Sequence, residues 1–211
     1  MSEVSIELRD KLCMRAKQYY SDTMLYHNWH HAQDVVDNVR MLVNYSNSPE
    51  IIGEGNLLCI AAAWHDADYH VKDLADFATK EERSAALANT KLPELSEEQR
   101  ALVVGCILDT TVSIKPKSSV FGEVLHIADV GYFAAPIEHF MDRLVYMWQE
   151  WGRPDWANAV ERTTAFGKEV IDESLALMPQ VMPKEKAGAW VEGIRRNLNH
   201  LQTIKSAPIE L

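Results

Sequence analysis

Three of the chain's eight histidines fall within five residues, in Tyr26-His27-Asn28-Trp29-His30-His31. A fourth, His65, is followed directly by Asp66 at the end of an apolar run that includes Leu57, Leu58, Ile60, Ala61, Ala62 and Ala63. Farther on, Leu125-His126-Ile127-Ala128-Asp129-Val130 places an aspartate inside another apolar run. A carboxylate at the rim of an apolar core is costly unless a cation or a hydrogen-bond network satisfies it. Taken alone, His65-Asp66 reads equally as a capping aspartate beside a half-buried histidine. Together, His31, His65, Asp66 and Asp129 offer two imidazoles and two carboxylates. That borderline nitrogen and oxygen set suits Zn, Mn, Fe or Mg better than a soft thiolate site does. A divalent metal can bring the pKa of bound water from 15.7 to about 7, which makes hydroxide available for attack at neutral pH.

Helices must position these residues. Adjacent residues on a helix lie about 100° apart, so His65 and Asp66 reach one point only near a helix end or beside a cleft. Apolar spacing predicts an amphipathic segment over 4–20, a loop over 21–28, and a second helix over about 31–45 carrying Val35, Val36, Val39, Leu42 and Val43. Ser46-Asn47-Ser48-Pro49 breaks that helix, and the apolar helix ending at His65-Asp66 follows. Residues 67–78 read as an irregular loop or short helix over the site. Helices are predicted over 80–90 and, after the capping box Ser96-x-x-Gln99, up to about Thr111. Further helices follow over 120–135, from Pro136 to Trp151, from Pro154 to Met178 and from Pro183 to about Thr203. No alternating pattern of useful length calls for a sheet.

The expected architecture is an all-α bundle with a central metal site. It is read as one domain over 1–211, with a motif core at about 20–165 and C-terminal helices over 154–205 packed on it. The 211 residues are 47% hydrophobic and 25% charged, as in a soluble globular protein. The formal net charge of −10 argues against nucleic acid and anionic membranes as partners. Cys13, Cys59 and Cys106 suit reduced, buried thiols, and the polar, acidic N-terminus carries no secretory signal, so a cytoplasmic location is expected. No apolar run approaches the roughly 20 residues of a membrane span. Self-association as a homodimer stays open.

The order His31 … His65-Asp66 … Asp129 resembles the HD-domain metal-dependent phosphohydrolases. Tyr26-His27-Asn28-x-x-His31-Ala32-x-Asp34-Val35 is similar to the signature of the cyclic-nucleotide phosphodiesterases, and Leu125 to Asp129 to that group's last ligand segment. The shorter chain, with Lys80-Glu81-Glu82-Arg83-Ser84-Ala85, Arg143 and Arg162, looks more like a small bacterial branch of the superfamily. The resemblance implies hydrolysis of a phosphate ester, with a nucleotide or similar small phosphate as substrate. It implies one tight site for Mn, Mg, Fe, Ni or Zn, and room for a weaker second metal bridged by Asp66. It also implies that His27 protonates the leaving group and that Glu82 orients the water or a ligand histidine. The alternatives are a loop histidine bonded to backbone and a solvated helix carboxylate.

Asp68 could hold a metal-bound water or simply close a turn. For the phosphate, Arg143, Lys115 and Thr110 are the chosen candidates, with Lys117 and Arg162 behind them. Trp64 or Tyr69 could stack on a base, or pack. A cyclic diester is the alternative substrate, and the short C-terminal part is read as leaving little room for a base pocket. Two other classes stay in view: an HD-type di-iron oxygenase, which wants a second set of protein ligands, and a non-catalytic nucleotide-binding module.

Overall fold

The computed structural model describes residues 4–73, 77–112 and 116–204. Ten α-helices and two 3-10 turns make up the regular structure, with no strand among the described residues. In order the helices are α1 (Ile6–Ala16), α2 (Trp29–Tyr45), α3 (Pro49–Gly53), α4 (Gly55–Trp64), α5 (Lys80–Lys91), α6 (Glu97–Asp109), α7 (Val120–Asp129), α8 (Ile137–Glu150), α9 (Trp156–Val181) and α10 (Lys184–Leu201).

Local chemistry places most of the boundaries. Ser5, Asn28, Ser48, Thr79, Ser96, Ser119 and Asp155 each accept a backbone N–H at the start of a helix, satisfying donors that would otherwise be orphaned. The capping box of Ser96 and Gln99 forms in both directions. The segment expected as one helix over 120–135 is two: α7 stops at Asp129, and Val130–Ala134 tighten into a 3-10 turn. Pro179 does not end α9, which runs one turn further to Val181. The hydrogen bond lost to proline falls at Leu175, on the helix's exposed face, where water can satisfy the carbonyl.

α4 is the central pillar. Every residue from Leu57 to Trp64 is buried, against α1, α2, α6 and α7. Its small Ala61, Ala62 and Ala63 allow close approach, and burying such a run is the main stabilising term for this part of the fold. The core has two clusters. One gathers α1 to α7 around α4 together with the end of α9. The other is aromatic and gathers Tyr26, Tyr132, Phe133, Phe140 and Trp156 with Val170, Ile194 and Leu198. Cys13, Cys59 and Cys106 are free thiols, all buried. Among the described residues no single helix is long and apolar enough to cross a membrane. The one pair that would be so jointly, Val120–Ala134 with Ile137–Glu150, is bent by 108°.

Asp109 at the end of α6 accepts from the Ser118 backbone (2.9 and 3.0 Å) and hydroxyl (2.6 Å), which pins the start of α7. Gly122 makes this contact fit, since a Cβ there would lie 1.9 Å from Asp109 Oδ2. Gly122→Ala is therefore expected to destabilise the protein by about 1–3 kcal/mol. At about 2–4 °C per kcal/mol for a chain of this size, the shift is readable in thermal denaturation. Gly105→Ala, where nothing lies within 4 Å of the new methyl, should instead stabilise α6 by roughly 0.5–1 kcal/mol. Equal melting temperatures for the two variants would contradict the clasp.

Candidate metal centre and active-site cavity

Three helix ends bring the ligand candidates together. Asn28 sets the start of α2 by accepting from His30 N (2.9 Å) and His31 N (3.2 Å), so His31 points inward from the first turn while His30 is exposed. α4 runs out at Trp64 and leaves His65 and Asp66 in the turns that follow. That end is anchored by the Trp64 indole donating to Leu12 O (3.1 Å) and the Tyr20 hydroxyl donating to Ala63 O (3.0 Å). Asp129 closes α7, whose last turn is tied to α2 by Asn38 Nδ2 donating to Ala128 O (2.9 Å).

The four side chains converge. His31 Nε2 and His65 Nε2 lie 3.3 Å apart. Asp66 Oδ2 is 3.0 Å from His65 Nε2 and 3.4 Å from His31 Nε2. Asp129 Oδ1 is 3.0 Å from His31 Nε2 and 3.3 Å from His65 Nε2. His65 Nδ1 donates to Ala62 O at 2.7 Å, which fixes the tautomer and leaves the Nε2 lone pair for a cation. Ligand atoms of His31, His65 and Asp66 all lie within 4.8 Å of one another, and this donor set fits one divalent metal. Burial opposes charge on every member, yet mutual contact wins. The neighbouring carboxylates raise His31 and His65 above the usual imidazole range, and the imidazoles hold Asp66 and Asp129 well below the usual carboxylate range. Among the described residues this is the one group of three or more such side chains.

Asp66 and Asp129 open onto a cavity of about 390 Å³ that His27 also lines. His27 does not reach it from a helical turn shared with His31; it sits in the bend before Asn28. Glu150, at the end of α8, holds it there. One carboxylate oxygen accepts from Tyr26 N (2.9 Å) and His27 N (3.2 Å), while the other takes the imidazole Nδ1–H in a short hydrogen bond. Burial would raise the Glu150 carboxyl, but the bond to His27 keeps it below its ordinary value. Tyr69 lies flat on the His27 ring, with centroids 3.7 Å apart and planes 9° apart. Lys80 secures the Tyr69 segment by donating to Tyr69 O (2.6 Å) and Val71 O (2.7 Å). His27 thus presents Nε2 as its remaining nitrogen.

Of the other expected residues, Thr110 lines the cavity, its hydroxyl donating to Ile107 O at 2.7 Å. Asp68 does not line it. Its backbone is left-handed (φ 64°) and its carboxylate faces Arg83 at 3.6 Å, which makes it a turn residue. Glu82 is likewise turned away, closing the start of α5 by accepting from Ala78 N (2.7 Å). Its neighbour Glu81 faces the cavity instead. Arg143 pairs with Asp34 in a separate cleft of about 320 Å³ that shares only Asp129 and Tyr132 with the main cavity. Arg162 on α9 takes the place in the cavity expected of Arg143. Lys115 lies outside the described residues. Trp64 is fully buried and packs, whereas Tyr69 reaches the cavity. Glu150, Thr163, Phe166 and Trp151 carried no motif signal. The one hint at Glu150 is a carboxylate closing an otherwise amphipathic helix.

No family model matches the sequence, and neither does any curated protein. Among solved structures the chain is similar to the phosphodiesterase domain of the RhoPDE fusion protein from the choanoflagellate Salpingoeca rosetta. The TM-score is 0.73 at 18% identity, covering 95% of this chain and 84% of that one. A second structure of the phosphodiesterase domain of Salpingoeca rosetta rhodopsin phosphodiesterase gives 0.72 at 18%, with 92% and 79% covered. The chain has the fold of these domains. At this identity the likeness is one of architecture, and it agrees with the all-α bundle expected from the helical periodicity.

The convergence generates a direct test. Asp66→Ala and His65→Ala should each lose stoichiometric divalent metal, measured by elemental analysis of the purified protein. Asp68→Ala should keep it. Full metal content in the Asp66→Ala protein would remove the assignment.

Proposed function

We propose that the protein is a metal-dependent phosphohydrolase acting on a small phosphate ester, with a nucleotide as the favoured substrate class. The observation that carries this reading is His27, held by Glu150 and stacked on Tyr69, lining the same cavity as Asp66 and Asp129. A proton donor and a cation-binding centre on one cavity are the two parts that in-line attack on phosphorus needs. When bound by His31, His65, Asp66 and Asp129, a divalent metal would supply Lewis-acid chemistry and a water of lowered pKa.

The remaining steps belong to this chain's side chains. The ester's phosphoryl end sits toward Asp66 and Asp129, and its organic part lies along the walls made by Tyr132, Met147 and Phe166. A water oxygen forms the new bond to phosphorus as the ester P–O bond breaks, the proton that water sheds passes to solvent, and His27 is reprotonated from solvent after turnover. The departing oxygen takes the proton from His27 Nε2. With Nδ1–H held by Glu150, it is the imidazolium form of His27 that has a proton on Nε2 to give; the Glu150 carboxylate faces that cation, and Tyr69 holds the ring plane. Glu81 is better placed than Glu82 to orient water, whereas the Thr110 hydroxyl, which donates to Ile107 O, has no proton to give the phosphoryl oxygens.

A cyclic diester is a second reading, and the cavity favours it more than the chain's length does. What supports it is the apolar wall of Met147 and Trp151 around the end of α8 and Phe166 on α9, on which a base can lie.

The test is a phosphate-release screen over nucleotides with Mn, Mg, Fe, Ni and Zn, followed by His27→Ala. A general acid contributes typically about 10²–10⁴-fold, so turnover should fall by that order with metal content intact. The loss should be smaller on nitrophenyl esters, whose leaving anion needs no proton. Equal losses on both leaving groups would make His27 structural. Oxygen uptake by the iron form without phosphate release would replace the hydrolase reading by an oxygenase.

A further inference from the structure

Among the described residues lining the main cavity, Arg162 is the one with a permanent cation. Its neighbours Thr163 and Phe166 on α9 line the same wall. No carboxylate among the described residues pairs with Arg162; its guanidinium lies over the Trp151 ring, 5.5 Å from the centroid. Other cations near the site are engaged elsewhere. Arg143 is bound to Asp34, Lys80 to two carbonyls and Lys117 to Thr111 O. Glu81 is the cavity's carboxylate away from the metal ligands.

This wall lacks what reading a neutral base edge would require. No asparagine or glutamine amide lines the cavity among the described residues, so the paired donor and acceptor that suit a purine or pyrimidine edge are missing. What it offers is a flat apolar surface and a guanidinium fork held on an indole. A guanidinium over an aromatic face, with no described carboxylate taking its N–H groups, matches a phosphate. We propose that Arg162 forms a second anion subsite, which selects substrates carrying a phosphate remote from the scissile one, as in a nucleoside bisphosphate. The proposal rests on the phosphohydrolase reading for which phosphate is cleaved, and on the cavity alone for the binding preference.

Binding tests it without turnover. Metal-loaded His27→Ala protein, which slows hydrolysis, is titrated calorimetrically with adenosine 5′-monophosphate and adenosine 3′,5′-bisphosphate, with and without Arg162→Gln. A charge-assisted contact of this kind is worth roughly tenfold to a hundredfold in affinity, so the bisphosphate should bind tighter by that factor. Arg162→Gln should erase the difference while leaving the monophosphate within about twofold. Arg162 is exposed, so the melting temperature should not move. No preference for the bisphosphate, a preference that survives Arg162→Gln, or no binding of either nucleotide would overturn the subsite. Failure of the otherwise unmodified protein to release phosphate from either nucleotide, with the binding preference intact, would sink the hydrolytic reading alone and still support the subsite.

Discussion

Two carboxylates held beside the carbonyl ends of two helices set the terms for this structure. Asp66 follows α4 directly and Asp129 ends α7. The C-terminal end of a helix carries partial negative charge, so each carboxylate sits where its charge is least welcome. Their side chains are 10% and 22% exposed, too little for water to compensate in full. Two imidazoles drawn up against them relieve part of that cost, and a divalent cation would relieve the rest. The anchors around the site resist this repulsion. The Trp64 indole on Leu12, the Tyr20 hydroxyl on Ala63 and the Asn38 amide on Ala128 all grip the last turns of α4 and α7.

The site lies on the seam between the two cores. Along α7, Val124, Leu125, Ile127 and Ala128 belong to the cluster around α4, while Val130, Tyr132 and Phe133 beyond Asp129 belong to the aromatic cluster. The same change occurs around His31, with Val35 and Val36 on one side and Tyr26 on the other. Cation binding thus depends on helices α2, α4 and α7, while placement of His27 and the cavity wall depends on α8 and α9. This division separates the two kinds of defect expected from substitution. On the proposed function, changes at the α4 end would cost metal, whereas changes at Glu150 or Phe166 would act on the proton donor and the substrate.

How legible each part was follows from the range of the interaction that creates it. Helix starts at Ser96 and Ser119 depend on neighbours three residues away, and the four ligand residues stand out because a polar group in an apolar run is conspicuous without any knowledge of its partner. Glu150 acts on His27 across 123 positions, and no local pattern marks it. Glu81 and Glu82 differ by one step of about 100° around α5, finer than a motif resolves. Arg143 is a cation on an apolar helix, where a partner is required. The partner is Asp34, a residue of the motif that drew attention to α2. The left-handed backbone of Asp68 is set by the turn after α4, which a resemblance in side-chain order does not convey.

The net charge of −10 raises the question of how such a chain attracts an anion at all. Asp66, Asp129 and Glu81 all face the cavity, so before a cation arrives the interior repels a phosphate ester. Lys80, which could have offset this, spends its ammonium on Tyr69 O and Val71 O, and the bond to Tyr69 serves the ring that steadies His27. On the proposed function Lys80 thus serves the position of the proton donor, and among the described residues lining the cavity Arg162, on α9, is the cation left for long-range attraction. Charge at the reacting end would have to come from the bound cation and charge on the α9 wall from Arg162. On the proposed function, ester binding would depend on cation binding, while selectivity among esters would be set by the wall.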